Sequence, residues 1–300
     1  MPPIDQWVAF EPLAGSPIAV AALLLAALYL RGAIWMWRHR RRWAIARTAS
    51  FLTGCVLIFA VTTFGVNGLA EEFVSGLVFQ QITLLTVVPP LLIAGSPGRL
   101  LLRSTPHTGL GRLVLRAAHA GLRARFWRAA LHPVVAIVAA ILLYPALYLI
   151  DVISIIMRIP FGHDALLFMI LVLGVISAIP LWSSDPLPRV PSFAVRFVDI
   201  VVELQIHAVF GLILLRTGTP LFSAYANPTG DHDPILDQAI AGTLVWTYAE
   251  LPLFVVLIVC LSRWRTREMR TSKQRQRVED AELDTYNEYL ASMAQGRLER

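Results

Sequence analysis

Residues Pro17–Trp37 read PIAVAALLLAALYLRGAIWMW, and the five residues after them, Arg38–Arg42, read RHRRR. An apolar run of this length, interrupted only by Arg31, matches the roughly 20 residues a helix needs to cross a hydrocarbon core about 30 Å thick. The basic cluster at its end marks a side, because short cytoplasmic loops retain Lys and Arg. The stretch before the run, Met1–Ser16, carries Asp5 and Glu11 but no Lys or Arg, so the run does not read as a secretory signal peptide.

The rest of the chain has the same character. Of its 300 residues, 56% are apolar and 15% charged, and mean hydropathy is +0.63. Soluble domains hold about 45–50% apolar and about 25% charged residues, so a soluble globular domain is excluded, as are disorder, collagen-like repeats and coiled coil. Working outward from the first run, six more appear. The seven expected spans are 17–37, 49–69, 73–95, 133–150, 165–182, 197–215 and 236–264. Backbone groups in lipid must be satisfied within the chain, so the expected fold is all-α, an integral membrane seven-helix bundle. It occupies residues 1–264 and is followed by a charged cytosolic tail, 265–300, with a short helix near its end.

Net charge is +6, from 26 Lys+Arg against 20 Asp+Glu, and every basic residue except Lys273 is arginine. The arginines fall after spans one, three and five (Arg38–Arg47, Arg99–Arg128, Arg189 and Arg196) and in the tail. The alternate loops hold Glu71, Glu72, Asp151, Asp164, Asp231, Asp233 and Asp237, with only Arg158 and the helix-end Arg216. This places the N-terminus outside and the C-terminus inside a bacterial plasma membrane. Arginine in every second loop is explained by topology and anionic lipid headgroups, and nucleic acid is not an expected partner. The long basic loop, with Leu100, Leu113, Leu115, Phe126 and Trp127 among its arginines, reads as an amphipathic helix on the inner leaflet.

Local breaks are also visible. Pro89-Pro90 removes consecutive donors and disfavours the helical basin for Val88, so a kink or break is expected there, and Gly95-Ser96-Pro97-Gly98 ends the span. Cys55 and Cys260 have no second thiol nearby and read as small buried hydrophobes. No phosphate loop, nucleophile elbow or dinucleotide fingerprint occurs, so no enzyme is expected.

Ionisable groups inside spans are costly and invite functional readings. Asp199, Glu203 and His207 recur at steps of four and share a helix face in span six, with Gln205 turned away. Glu203 and His207 are one turn apart and suit an ion pair or a shared proton; an internal structural pair is the equal alternative. In span seven Gln238, Gly242, Trp246 and Glu250 form a seam in which Gly242 permits close helix approach. Glu250 is either protonated or paired with a base, His207 being the nearest by depth. An outer mouth is expected from Gln80, Gln81, His163, Asp237 and Gln238, whereas Asp231-His232-Asp233 reads as solvated loop and His163 as a helix cap or a ligand. His39, His107, His119 and His132 read as surface residues.

Several stretches together resemble the CtaG-type cytochrome c oxidase assembly factor family, in its actinobacterial form. They are Val88-Pro89-Pro90-Leu91-Leu92 with Gly95 and Pro97; Gly162-His163; Asp185-Pro186-Leu187-Pro188-Arg189; His207-Ala208-Val209-Phe210-Gly211; Asp237-Gln238 with Gly242 and Trp246; Glu250-Leu251-Pro252; and Glu282-Leu283 with Tyr286-Asn287 and Tyr289-Leu290. The resemblance implies a non-catalytic membrane protein that partners cytochrome c oxidase subunits and helps copper reach the catalytic subunit. Its candidate copper ligands are His207, then His163, with Glu203 and Glu250 setting local charge. Where the family places a histidine pair in span three, this chain has Leu77, Val78, Phe79, Gln80 and Gln81. Two alternatives stand beside this reading: a histidine-poor paralogue acting as a structural membrane chaperone, and a proton-coupled transporter using Glu203, His207 and Glu250.

Overall fold

The computed structural model describes residues 16–182, 192–226 and 232–298. The Asp185–Arg189 stretch and Asp231 lie outside them. Among the described residues every regular element is helical and no strand occurs: α1 Pro17–Arg38, α2 Ile45–Thr63, α3 Val66–Glu72, α4 Val74–Ile82, a π-helical turn Thr83–Val87, α5 Val88–Ala94, α6 Pro97–Ser104, α7 Gly109–Arg123, α8 Arg125–Ala130, α9 Pro133–Tyr148, α10 Val152–Met157, α11 Gly162–Trp182, α12 Phe193–Arg216, α13 Pro234–Thr247 and α14 Glu250–Leu298. The chain divides into two compact units, Met1–Val256 and Leu257–Arg300. The second is helical through Leu298; Leu257, Val259 and Cys260 are half-buried, and the side chains described after them are exposed.

Six helices are long and apolar enough to cross a membrane. The expected fourth span differs. It forms the 16-residue α9, whose rise of about 24 Å falls short of a 30 Å hydrocarbon core. Leu149, Ile150 and a left-handed Asp151 (φ 55°) then turn the chain into the short α10. The sequence contains the reason: Pro145 inside α9 has no N–H to give, which weakens the last turn.

The third span lies at the centre of the first unit, with 61% of its most apolar window buried against 39% or less in every other. Leu77, Val78, Leu84 and Val88 have essentially no exposed surface and join residues of α2, α9, α11, α12 and α13 in one core. Val88 does not leave the helical basin (φ −66°, ψ −48°). The disturbance expected from Pro89-Pro90 instead sits one turn earlier, in the π turn, where Val88 N–H reaches back to Thr83 O. One extra residue in that turn moves carbonyls away from the proline rings, so the helix continues without a break. Gly174 of α11 packs on this turn; a Cβ there would stand 2.5 Å from Leu85 O. The helix then stops at Gly95 and Ser96, the latter left-handed (φ 51°), and the buried Tyr29 hydroxyl donates to Gly95 O at 2.7 Å.

The basic loop is not one helix but three, α6 to α8. In α7 Leu110 and Leu113 are exposed and Leu115 is buried. Span seven is also divided, at Tyr248-Ala249 between α13 and α14, because Pro252 cannot donate to the Tyr248 carbonyl.

Candidate functional site

The expected face of α12 exists: Asp199 and His207 are almost wholly buried, Glu203 is half-buried and Gln205 exposed. The expected pairing does not. His207 Nε2 meets the Tyr144 hydroxyl of α9 at 2.5 Å, not Glu203. With the phenol donating, Nε2 accepts, and the hydrogen of the neutral imidazole sits on Nδ1. Among the described residues Nδ1 has no partner, nor does Asp199 Oδ1.

Glu203, His207 and Tyr144 line a cavity of about 200 Å³ with Thr86 of the π turn, Ser177 and Trp182 of α11, inside otherwise apolar walls. Val135 and Ala139 of α9, both exposed, are among its lining residues. Nothing in the local sequence marks Trp182, Thr86 or Ser177 as cavity residues. Tyr144 and Tyr148, four residues apart in an apolar run, carried the available signal, since a buried phenol needs a partner.

Gln80 and Gln81 lie in the stretch Leu77–Gln81 where a histidine pair is expected from the resemblance, at Leu77 and Gln81, and each glutamine holds a different network. Gln80, fully buried, donates through Nε2 to Val61 O at 2.5 Å and Asn67 Oδ1 at 3.2 Å, while His163 Nε2 meets its Oε1 at 2.9 Å. His163 is thus tied to span three. Gln81 Oε1 accepts from the Tyr148 hydroxyl at 2.9 Å. The ring of Tyr148 lies 5.7 Å from that of Tyr144, which links Gln81 to His207 through two aromatic residues. His163 and His207 therefore sit in separate networks. Among the described residues no group of three or more His, Cys, Asp or Glu side chains could hold a metal ion.

Asp237 and Gln238 are buried, but they bind backbone and do not line the cavity. Asp237 Oδ2 accepts from Val74 N at 2.7 Å, and Oδ1 from Ser75 N at 3.3 Å and from the Ser75 hydroxyl, capping α4 from another helix. Gln238 accepts from Leu221 N at 2.8 Å and donates to Leu214, Thr217 and Thr219 carbonyls, holding the segment after α12. Asp233 caps α13 at Ile235 N, and His232 lies against Phe73. Gly242 meets Gly211: a Cβ on either would stand within 2.8 Å of the other's carbonyl oxygen. The seam then drifts with the helical period to Val245 and Ala249, leaving Trp246 42% exposed. Glu250 is half-buried at the start of α14 and has no hydrogen-bond partner among the described residues.

Fold and site together define a polytopic all-helical membrane protein with a largely apolar cavity, bearing a few polar side chains, inside its bundle. The chain belongs to the cytochrome c oxidase caa3 assembly factor family, whose model matches residues 27–267. It is similar to the uncharacterized protein Mb0105 of Mycobacterium bovis, 26% identical over 292 residues that cover 94% of this chain and 44% of that protein. The uncharacterized protein ML1998 of Mycobacterium leprae is 24% identical over 298 residues, with the same shares covered. The chain thus spans less than half the length of these curated relatives. No solved structure matches it.

Proposed function

We propose that this protein is a non-catalytic assembly factor of haem-copper cytochrome c oxidase in a bacterial plasma membrane, acting as a membrane chaperone on an oxidase subunit. The observation that carries this reading is the family match, which extends over the membrane-spanning part of the chain. The glutamine networks support the chaperone form of it: Gln80 occupies His163 and Tyr144 occupies His207, so the two imidazoles do not converge on one ion.

Copper delivery is the second reading, with the ion as cargo. What favours it is the unpartnered Nδ1 of His207, since an imidazole nitrogen is a suitable copper ligand and a lone one releases its cargo readily. Deletion of the coding sequence separates the readings when oxidase activity, subunit abundance and copper per oxidase are measured together. Loss of subunit with normal copper in the remainder fits the chaperone. Full-length oxidase lacking copper fits delivery, and normal copper-loaded oxidase rejects both.

A further inference from the structure

Three residues that line the same cavity each carry a polar group without a hydrogen-bond partner among the described residues. The groups are His207 Nδ1 on a side chain 4% exposed, the indole N–H of Trp182, and the Glu203 carboxyl. Unpaired polar atoms inside a helical bundle are costly, and three such residues beside one space give an occupant the means to satisfy them once the side chains turn toward it.

The cavity's chemistry narrows what that occupant is. Its volume of about 200 Å³ compares with the roughly 150 Å³ engineered cavity that takes up benzene, so it admits one six-membered ring with substituents. Among the described residues no Lys or Arg lines it, and Glu203 does, which disfavours a phosphate or carboxylate head. The indole N–H donates, and so does Nδ1 when Tyr144 gives its proton to Nε2; Glu203 supplies an acceptor. Those groups match an oxygen substituent that both accepts and donates. Tyr144 and Trp182 supply aromatic walls, and the exposed lining residues Val135 and Ala139 are apolar, which suits the passage of an alkyl or isoprenoid chain to the bilayer.

We infer that this cavity binds a neutral, lipid-soluble molecule with a single-ring head bearing hydroxyl or carbonyl oxygen, its chain leaving between α9 and its neighbours. The inference stands on the cavity and does not rest on the assembly reading.

The test uses the full chain in lipid nanodiscs, with 4-octylphenol as probe, its methyl ether as comparison and empty nanodiscs as blank. The expected result is saturable one-to-one binding above the blank. His207→Leu and Ala139→Trp each weaken it about tenfold or more, and the ether, which cannot donate, binds about tenfold more weakly, as expected for one lost hydrogen bond. Uptake no greater than the blank overturns the inference, as does saturable binding that neither variant changes. Helical circular dichroism and thermal midpoint establish that the variants fold; if His207→Leu does not, Ala139→Trp, at an exposed position, decides alone.

Discussion

The Tyr144 hydroxyl lies 2.5 Å from His207 Nε2, and the two rings meet edge to face at 5.4 Å between centroids. This contact joins α9 to α12 through the most deeply placed imidazole of the bundle. It also settles the ring's orientation, leaving Nδ1 as the unpaired nitrogen.

Tyr144→Phe is expected to destabilise the protein by about 1–3 kcal/mol, because a buried imidazole nitrogen loses its donor. Combined with His207→Leu, the two losses are expected to fall short of additivity by about 0.5–3 kcal/mol. Unfolding by denaturant in mixed micelles measures this cycle. Full additivity means that the contact contributes nothing.

Gly242→Ala should cost about 1–3 kcal/mol, the usual range for overpacking. Its new methyl would stand 2.6 Å from Gly211 O and from Leu215 N, backbone atoms that no rotamer change can move. Gly121→Ala, with nothing within 4 Å, is the control and is expected to be neutral or slightly stabilising. Equal thermal midpoints for the two variants would contradict the close crossing of α12 and α13.

The helical class, the position of most spans and the role of Gly242 were legible because each rests on local composition or on a single helix face. Partners were not. Spacing shows that Glu203 and His207 are one turn apart and suit a pair, but it does not show Tyr144, the partner His207 meets, which comes from a helix distant in sequence. Asp237 was placed at a mouth from its depth, but a carboxylate that caps another helix has no sequence signature, since α4 begins more than a hundred residues earlier. Pro89-Pro90 announced a distortion without saying where the chain would absorb it. The short α9 passed as a span because apolar content does not report whether the helix continues past Pro145.

Asp237→Ala is expected to leave the Val74 and Ser75 amides unsatisfied at the start of α4 and to cost about 1–3 kcal/mol. Hydrogen exchange at those two amides should accelerate in the variant well beyond exchange at Leu84, a core position on the same span. Unchanged protection at Val74 and Ser75 would show that the cap is dispensable. Asp237→Asn, which keeps an acceptor oxygen, should lose less.

Asp151 carries a pH dependence whose sign follows from its surroundings. Burial pushes its carboxyl up, but hydrogen bonds from the Ser154 hydroxyl and from Ser223 outweigh that and hold it below its ordinary value of 3.8. A carboxyl depressed in the folded state adds stability that is fully present above its unfolded value and is lost as pH falls through the folded one. Asp151→Asn tolerates the left-handed backbone at this position and removes only the titrating charge. Wild type should therefore unfold at a higher temperature than Asp151→Asn at pH 6, and the gap should close as pH drops below 3.8. A gap that stays constant or widens on acidification would mean that the Ser154 and Ser223 contacts do not favour the ionised form.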